Sequence, residues 1–193
     1  MAVLTVPSTA SSREQSFNSA EGFLFANGRI SAFASTNALT AGVIYEFLMG
    51  VNPGDVITGV SLFCETAASG TAPTLVKAGL SSTGGVMLAQ SSDLKASAFA
   101  ATGVATLTTA SYTVPAGTTA LYADVLIVGA WSVTQPKFTN LLPPSNTSFG
   151  TFPNSGFAPV QQSAGSQTDL PANGNGIPSY TTAMNRAYFC GIS

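Results

Sequence analysis

The residues able to do chemistry are few and scattered. There is no histidine in the 193 residues. That excludes the Ser-His-Asp and Cys-His nucleophilic systems and the common zinc sites. Cys64 and Cys190 have no histidine or basic neighbour in sequence, so neither reads as an activated thiolate. A carboxylate pair can hydrolyse a glycan. Glu46 and Glu65 are the candidates, since both fall within apolar alternations and point away from the more apolar face. Two surface charges is the simpler expectation. Asp55, Asp93, Asp124 and Asp169 stand at turns or strand starts, where aspartate commonly bonds its own backbone. No Asp-x-Asp-x-Asp run supplies the converging oxygens of a calcium loop. Gly84-Gly85 and Asn173-Gly174-Asn175-Gly176 are not followed by Lys-Ser or Lys-Thr, so they are turns and not phosphate loops. Trp131, Tyr45, Tyr112, Tyr122 and Tyr180 could stack on sugars, although aromatics on strands more often pack in cores or interfaces. No catalytic, metal-binding or cofactor-binding residue is assigned, and the chain reads as a non-enzyme that needs no cofactor.

Composition explains what such a chain does instead. Charged residues are 7% of the total, against roughly 25% in an average soluble domain. Apolar residues are 45%, and the formal net charge is −2. The surface must therefore be built of hydroxyls, amides and small apolar groups, and copies repel one another weakly. Arg13, Arg29, Lys77, Lys95, Lys137 and Arg186 are the basic residues, and they do not cluster, which argues against nucleic acid. No secretory leader is visible in residues 1–14. The most apolar run, 121–133, contains Asp124 and is too short to span a bilayer. Two cysteines make no disulfide framework. Buried free thiols are the expectation, and a Cys64–Cys190 bridge across the fold is the alternative.

The elements that would position these residues are strands. Helical periodicity is nearly absent, and alternation bounded by turn residues recurs along the chain. Residues 1–40 read as an N-terminal arm, with room for short strands at 23–25 and 29–33. Strands are expected over 43–51, where Val43, Tyr45, Phe47 and Met49 share a face opposite Glu46, and over 56–65, 75–81, 86–90, 104–114 and 121–131. Asn52-Pro53-Gly54-Asp55 and Pro115-Ala116-Gly117 carry the same turn chemistry, and 93–103 has room for a helical turn. The run 121–131 is apolar on both faces apart from Asp124, as a central strand would be. Residues 132–185 are rich in Pro, Gly, Asn and Ser, and they hold Phe138, Phe149, Phe152 and Phe157 without period. This stretch is expected to drape over the sandwich or over a neighbouring subunit. Tyr188, Cys190 and Ile192 alternate in a closing strand over 187–192. The whole reads as an all-β protein: a jelly-roll-like β-sandwich over 41–193 behind the arm, with a long irregular segment before the last strand.

The strand and turn order carries a resemblance. Thr40-Ala41-Gly42-Val43 is followed by Val51-Asn52-Pro53-Gly54-Asp55-Val56-Ile57-Thr58-Gly59-Val60. Then come Ala78-Gly79-Leu80, Leu88-Ala89-Gln90-Ser91-Ser92-Asp93, Tyr112-Thr113-Val114-Pro115-Ala116-Gly117 and Ala120-Leu121-Tyr122. Gln135-Pro136, Gln167-Thr168-Asp169-Leu170-Pro171 and the closing strand complete the series. This pattern, over residues 40–193, resembles the small β-sandwich modules of tailed-bacteriophage tail proteins, especially those of actinobacterial phages. It is a pattern of turns and strands with no catalytic signature. The resemblance implies a virion component assembled in the bacterial cytoplasm, namely a minor tail or fibre-type protein. A capsid decoration protein and a host-glycan-binding adhesin module are the alternatives. The family's modules often sit in longer fibre chains and this one carries its own arm, which leaves room for decoration of the head. Expected partners are further copies, with a trimer as the anticipated unit, and other virion proteins. A host glycan is a further candidate. Neither nucleic acid nor membrane insertion is expected.

Overall fold

A computed structural model describes residues 34–141, 161–163, 165–178, 180–183, 187–188 and 190–193. The described residues are all β, with no helix. In chain order the strands are β1 (Ala34–Asn37), β2 (Ile44–Gly50), β3 (Val56–Thr66), β4 (Leu75–Ser82), β5 (Met87–Gln90), β6 (Gly103–Thr113), β7 (Ala120–Val128), β8 (Lys137–Leu141), β9 (Gln161–Ser163), β10 (Tyr180–Ala183), β11 (Ala187–Tyr188) and β12 (Cys190–Ile192).

These strands make two antiparallel sheets. The first eight strands pair as β1 with β8, β2 with β7, β3 with β6 and β4 with β5. That is a two-stranded ribbon whose tip is the β4–β5 hairpin. Rolling the ribbon places β1-β8-β3-β6 in one layer and β2-β7-β4-β5 in the other, which is the jelly roll. Beyond the roll, β9 and β10 widen the second sheet beside β2, and β11 and β12 join the first. β12 is not at an edge. It pairs with β3 at residues 60–62, just beyond the short β3–β8 contact at 64–66, while β11 pairs with β8. The closing strand is thus a wedge between β8 and β3.

Alternation explains the layers. Tyr45 and Phe47 on β2, Val76, Ala78 and Leu80 on β4, and Leu121, Ala123, Val125 and Ile127 on β7 face inward. They meet Ile57, Val60, Leu62, Cys64 and Phe138 from the first sheet. Chain reversals sit where the sequence placed them. Gly54 and Gly117 both take positive φ, at 88° and 83°. Their two turns lock together, Gly54 N donating to Val114 O at 2.8 Å and Val114 N to Asp55 O at 2.8 Å. In the 93–103 connection Ala98 N donates to Leu94 O at 2.9 Å, a single helical turn. That turn delivers Phe99 to the core at φ 60°, a conformation that costs a non-glycine residue about 1–3 kcal/mol. Phe99 offsets that cost by packing edge-on against Phe138 (centroids 4.8 Å apart) and Trp131 (6.2 Å).

The second sheet is also buried on its outer face. Residues 165–178 cross it as a strap, and Leu170 and Ile177 join Ile44, Leu126 and Met87 in a second small core. The expectation that this stretch drapes over the sandwich therefore holds for 165–178. Gly42, at φ 72°, accepts from Gln167 N at 2.8 Å, and a Cβ there would lie 3.3 Å from Ser166 N. A Cβ at Gly79 would meet Met87 Sδ at 3.0 Å and Leu170 Cδ1 at 3.1 Å. Two glycines thus let the strap seat.

Three boundaries differ from the sequence reading. The irregular stretch 132–185 contains β8, β9 and β10, and β8 is the ribbon's return strand. It is five residues long and Phe138 is its buried inward anchor, so alternation alone is too weak to mark it. The strand expected over 121–131 stops at Val128, because Gly129 turns at φ 84°. The strand expected over 187–192 is two short pieces, β11 and β12. The proposed short strands at 23–25 and 29–33 lie outside the described residues, while β1 begins within the stretch read as an arm. Because Phe138 has no exposure and packs edge-on against Phe99 in the interlayer core, Phe138→Ala is expected to lower stability by about 3–5 kcal/mol in chemical denaturation. A loss under about 1 kcal/mol would contradict this packing.

Candidate functional site

The sequence-level carboxylate pair is not brought together. Glu65 lies on the exposed face of the first sheet and accepts from Thr139 Oγ1 at 2.7 Å. Glu46 lies on the second sheet, so the two belong to different layers. Glu46 is not a surface charge either, because it has no solvent exposure. Its register partner on β7 is Asp124, also fully buried. Ser81 on β4 completes the cluster, again with no exposure.

The geometry of this trio is specific. Ser81 Oγ lies 3.1 Å from Asp124 Oδ1 and 3.3 Å from Glu46 Oε1. A hydroxyl has one proton and can donate fully to one carboxylate at a time. The second contact is best satisfied when that carboxyl is itself protonated and donates to Ser81 Oγ. Asp124 fits the protonated role. Burial, then the neighbouring Glu46 charge, pushes its carboxyl well above the usual carboxylate range, against the opposing hydrogen bond from Ser81. Its Oδ2 has no hydrogen-bond partner among the described residues. The Tyr122 hydroxyl is raised too, by burial first and then by Glu46 and Asp124. Two buried carboxyls sharing a hydroxyl resemble an acid–base dyad in chemistry. Their burial leaves no face on which a substrate could meet them.

The remaining candidates resolve into structural roles. Asp55 Oδ2 accepts from Asn52 N at 3.0 Å, and Asp93 Oδ1 accepts from Val76 N and Lys95 N. Asp169 Oδ1 accepts from Leu170 N at 2.7 Å and pairs with Lys77 Nζ at 2.7 Å, tying the strap to β4. Asp124 alone departs from the turn role expected of the four aspartates. Trp131 is buried against Phe99, Tyr45 and Tyr122 are buried, and Tyr112 is half-buried against the core. Trp131, Tyr45 and Tyr122 offer no free face for sugar stacking, while Tyr112 stays partly exposed. The Tyr180 side chain lies outside the described residues. Among the described residues Cys64 and Cys190 form no disulfide. Cys190 stands opposite Leu62, two positions from Cys64. Burial raises the Cys64 thiol, although its Sγ bonds Thr66 O at 3.1 Å.

Among the described residues, two clefts measure about 240 and 260 Å³. The first is bordered by Leu39, Ile127, Gln135 and Pro136, the second by the 94–102 connection and β6. Neither lining contains a titratable side chain. Among the described residues no group of three or more Cys, Asp or Glu could hold a metal ion, and no helix is long and apolar enough to cross a membrane. No family model, no curated protein and no solved structure matches the chain.

The sequence does not disclose the Glu46–Ser81–Asp124 cluster, because it offers Glu65 as the partner of Glu46 and a turn or strand-start role for Asp124. The available signal was a lone acid in the middle of each of two otherwise apolar runs. The cluster gives a pH signature with a definite sign. Asp124 holds its proton more tightly folded than unfolded, where it titrates near 3.8. Its stabilising contribution is therefore complete below that value and is lost as pH rises through the folded pKa. Asp124→Asn keeps an oxygen for Ser81 and removes the ionisation. Melting temperatures measured from about pH 4 upward should fall less steeply for Asp124→Asn than for the wild type. Parallel curves would show that Asp124 is not the group responsible.

Proposed function

We propose that this chain is a structural component of a tailed-phage virion, a minor tail or fibre-type protein that works by packing against copies of itself and docking to other virion proteins. The observation that carries this reading is a jelly-roll sandwich with very little charge on it. Its exposed sheet face presents Ser61, Thr106, Thr108 and Thr139 beside Phe63 and Val104. Jelly rolls recur in viral shells and lectins. A fold by itself does not assign a function, so the weight rests on the surface. A protein with six basic and eight acidic residues in 193 has little electrostatic barrier to close contact with its neighbours.

Decoration of the head is the same physical reading at a different address on the particle. The glycan-binding alternative loses support from the burial of Trp131, Tyr45 and Tyr122. The proposed location is the virion, after assembly in the bacterial cytoplasm. Cross-linking mass spectrometry on purified particles of the phage that encodes this chain tests the reading. The expected result is a stoichiometric band for the chain, with cross-links to itself and to adjacent structural proteins. Its absence from particles, or a solitary protein that turns over a substrate, would overturn it.

A further inference from the structure

The four sheet edges are not alike. β1 and β10 are four residues long. β5 is also four residues long and is covered, Met87 N donating to Asn175 O at 3.0 Å and Gly174 N to Met87 O at 2.8 Å. β6 is eleven residues long and among the described residues pairs only with β3. An antiparallel strand paired on one side directs alternate N–H and C=O groups outward, where only another strand complements them as a set.

The usual protections of such an edge are missing over half its length. No Lys, Arg, Asp, Glu or Pro occurs in Gly103–Thr113. The register shift between Ile57 and Gly59, opposite Tyr112 and Thr108, bulges β6 at 109–111 and spoils pairing there. Residues 103–108 remain regular. Beside them runs the 260 Å³ groove, with Leu94, Ser97 and Ala98 on one bank and Val104, Thr106 and Thr108 on the other. Val104 is 72% exposed and stands directly opposite Phe63, itself 43% exposed. An apolar cross-strand pair thus sits in water at the rim of an open edge.

We infer that the β6 edge is a self-association site, where residues 103–108 of one copy pair antiparallel with the same residues of a second copy. The inference rests on the assembly reading above and names its contact. A second copy is the occupant because the edge has no charge for a charged partner to recognise. Self-pairing places no like charges together and gives each uncharged Val/Thr row an identical row to meet. A contact between identical strands is isologous and closes as a twofold pair, which differs from the threefold unit anticipated from the resemblance to phage fibres.

Sedimentation velocity and concentration-dependent amide hydrogen exchange on the full chain test this. The wild type should run at twice the monomer mass at high concentration. Its 103–108 amides should exchange slowly there and fast on dilution. Val104→Lys sets two ammonium groups at the contact and should weaken association by about tenfold or more. Val104→Thr, which keeps the edge uncharged, should stay close to wild type. The side chain is exposed, so an unchanged circular dichroism spectrum should confirm that Val104→Lys folds. A wild type that stays monomeric up to sub-millimolar concentration would overturn the inference. So would an oligomer that Val104→Lys leaves intact with 103–108 exchanging freely. In either case retention on phage particles would leave the assembly reading standing, and loss of particle binding would remove that reading as well.

Discussion

β7 lies between β2 and β4 with both of its faces out of water, and the rest of the structure follows from that constraint. Leu121, Ala123, Val125 and Ile127 point into the sandwich, while Tyr122, Asp124 and Leu126 point the other way and are buried too. The inner face needs an opposing sheet, which the rolled ribbon supplies. The outer face needs a second cover, which the strap at 165–178 supplies. Burying each large aliphatic side chain contributes about 1.5–3 kcal/mol. Leu170 and Ile177 together therefore offset part of the cost of ordering a segment that has few strand contacts of its own. The Lys77–Asp169 ion pair adds register more than energy, since Asp169 is largely exposed and such pairs contribute about 0–1 kcal/mol.

The same constraint explains the acidic cluster. A strand buried on both faces has no solvent side for a polar residue, so the acids at 46 and 124 are buried on the outer face of the second sheet with Ser81 between them. Two ionised carboxylates in that position would repel across adjacent strands without water to screen them. Protonation of Asp124 removes the conflict and gives Ser81 a second hydrogen-bonding partner. The raised Asp124 carboxyl is the route by which pH would act on the second sheet, and the cluster itself has no exposure to solvent.

Much of the roll was legible in the sequence, and the reasons differ by residue. Tyr45 and Phe47, then Val76, Ala78 and Leu80, alternate cleanly because Glu46, Lys77 and Gly79 stand between these inward apolar residues. The turns at Pro53-Gly54 and Pro115-Ala116-Gly117 were legible because positive φ requires a glycine there. β8 was not, because Phe138 is its one strongly apolar inward anchor and a single anchor makes no pattern. Trp131 was assigned to the end of β7, although Gly129 breaks the strand first and sends the indole to Phe99. Glu46 and Glu65 could be assigned to faces but not to sheets. Alternation fixes which side a residue takes, whereas layer membership depends on long-range pairing. Glu46–Asp124 was hidden for that reason, since the two are 78 positions apart and meet only through the β2–β7 register.

Uncharged surfaces on a stable two-layer roll are suited to standing side by side, and the functional account rests on that property. The most direct measurement is a density map of a particle containing this chain, at a resolution that separates strands. The account predicts jelly rolls in contact with neighbouring copies or other virion subunits, with hydroxyl-rich faces removed from solvent. A chain missing from the particle, or present as an isolated domain surrounded by solvent on every face, would contradict it.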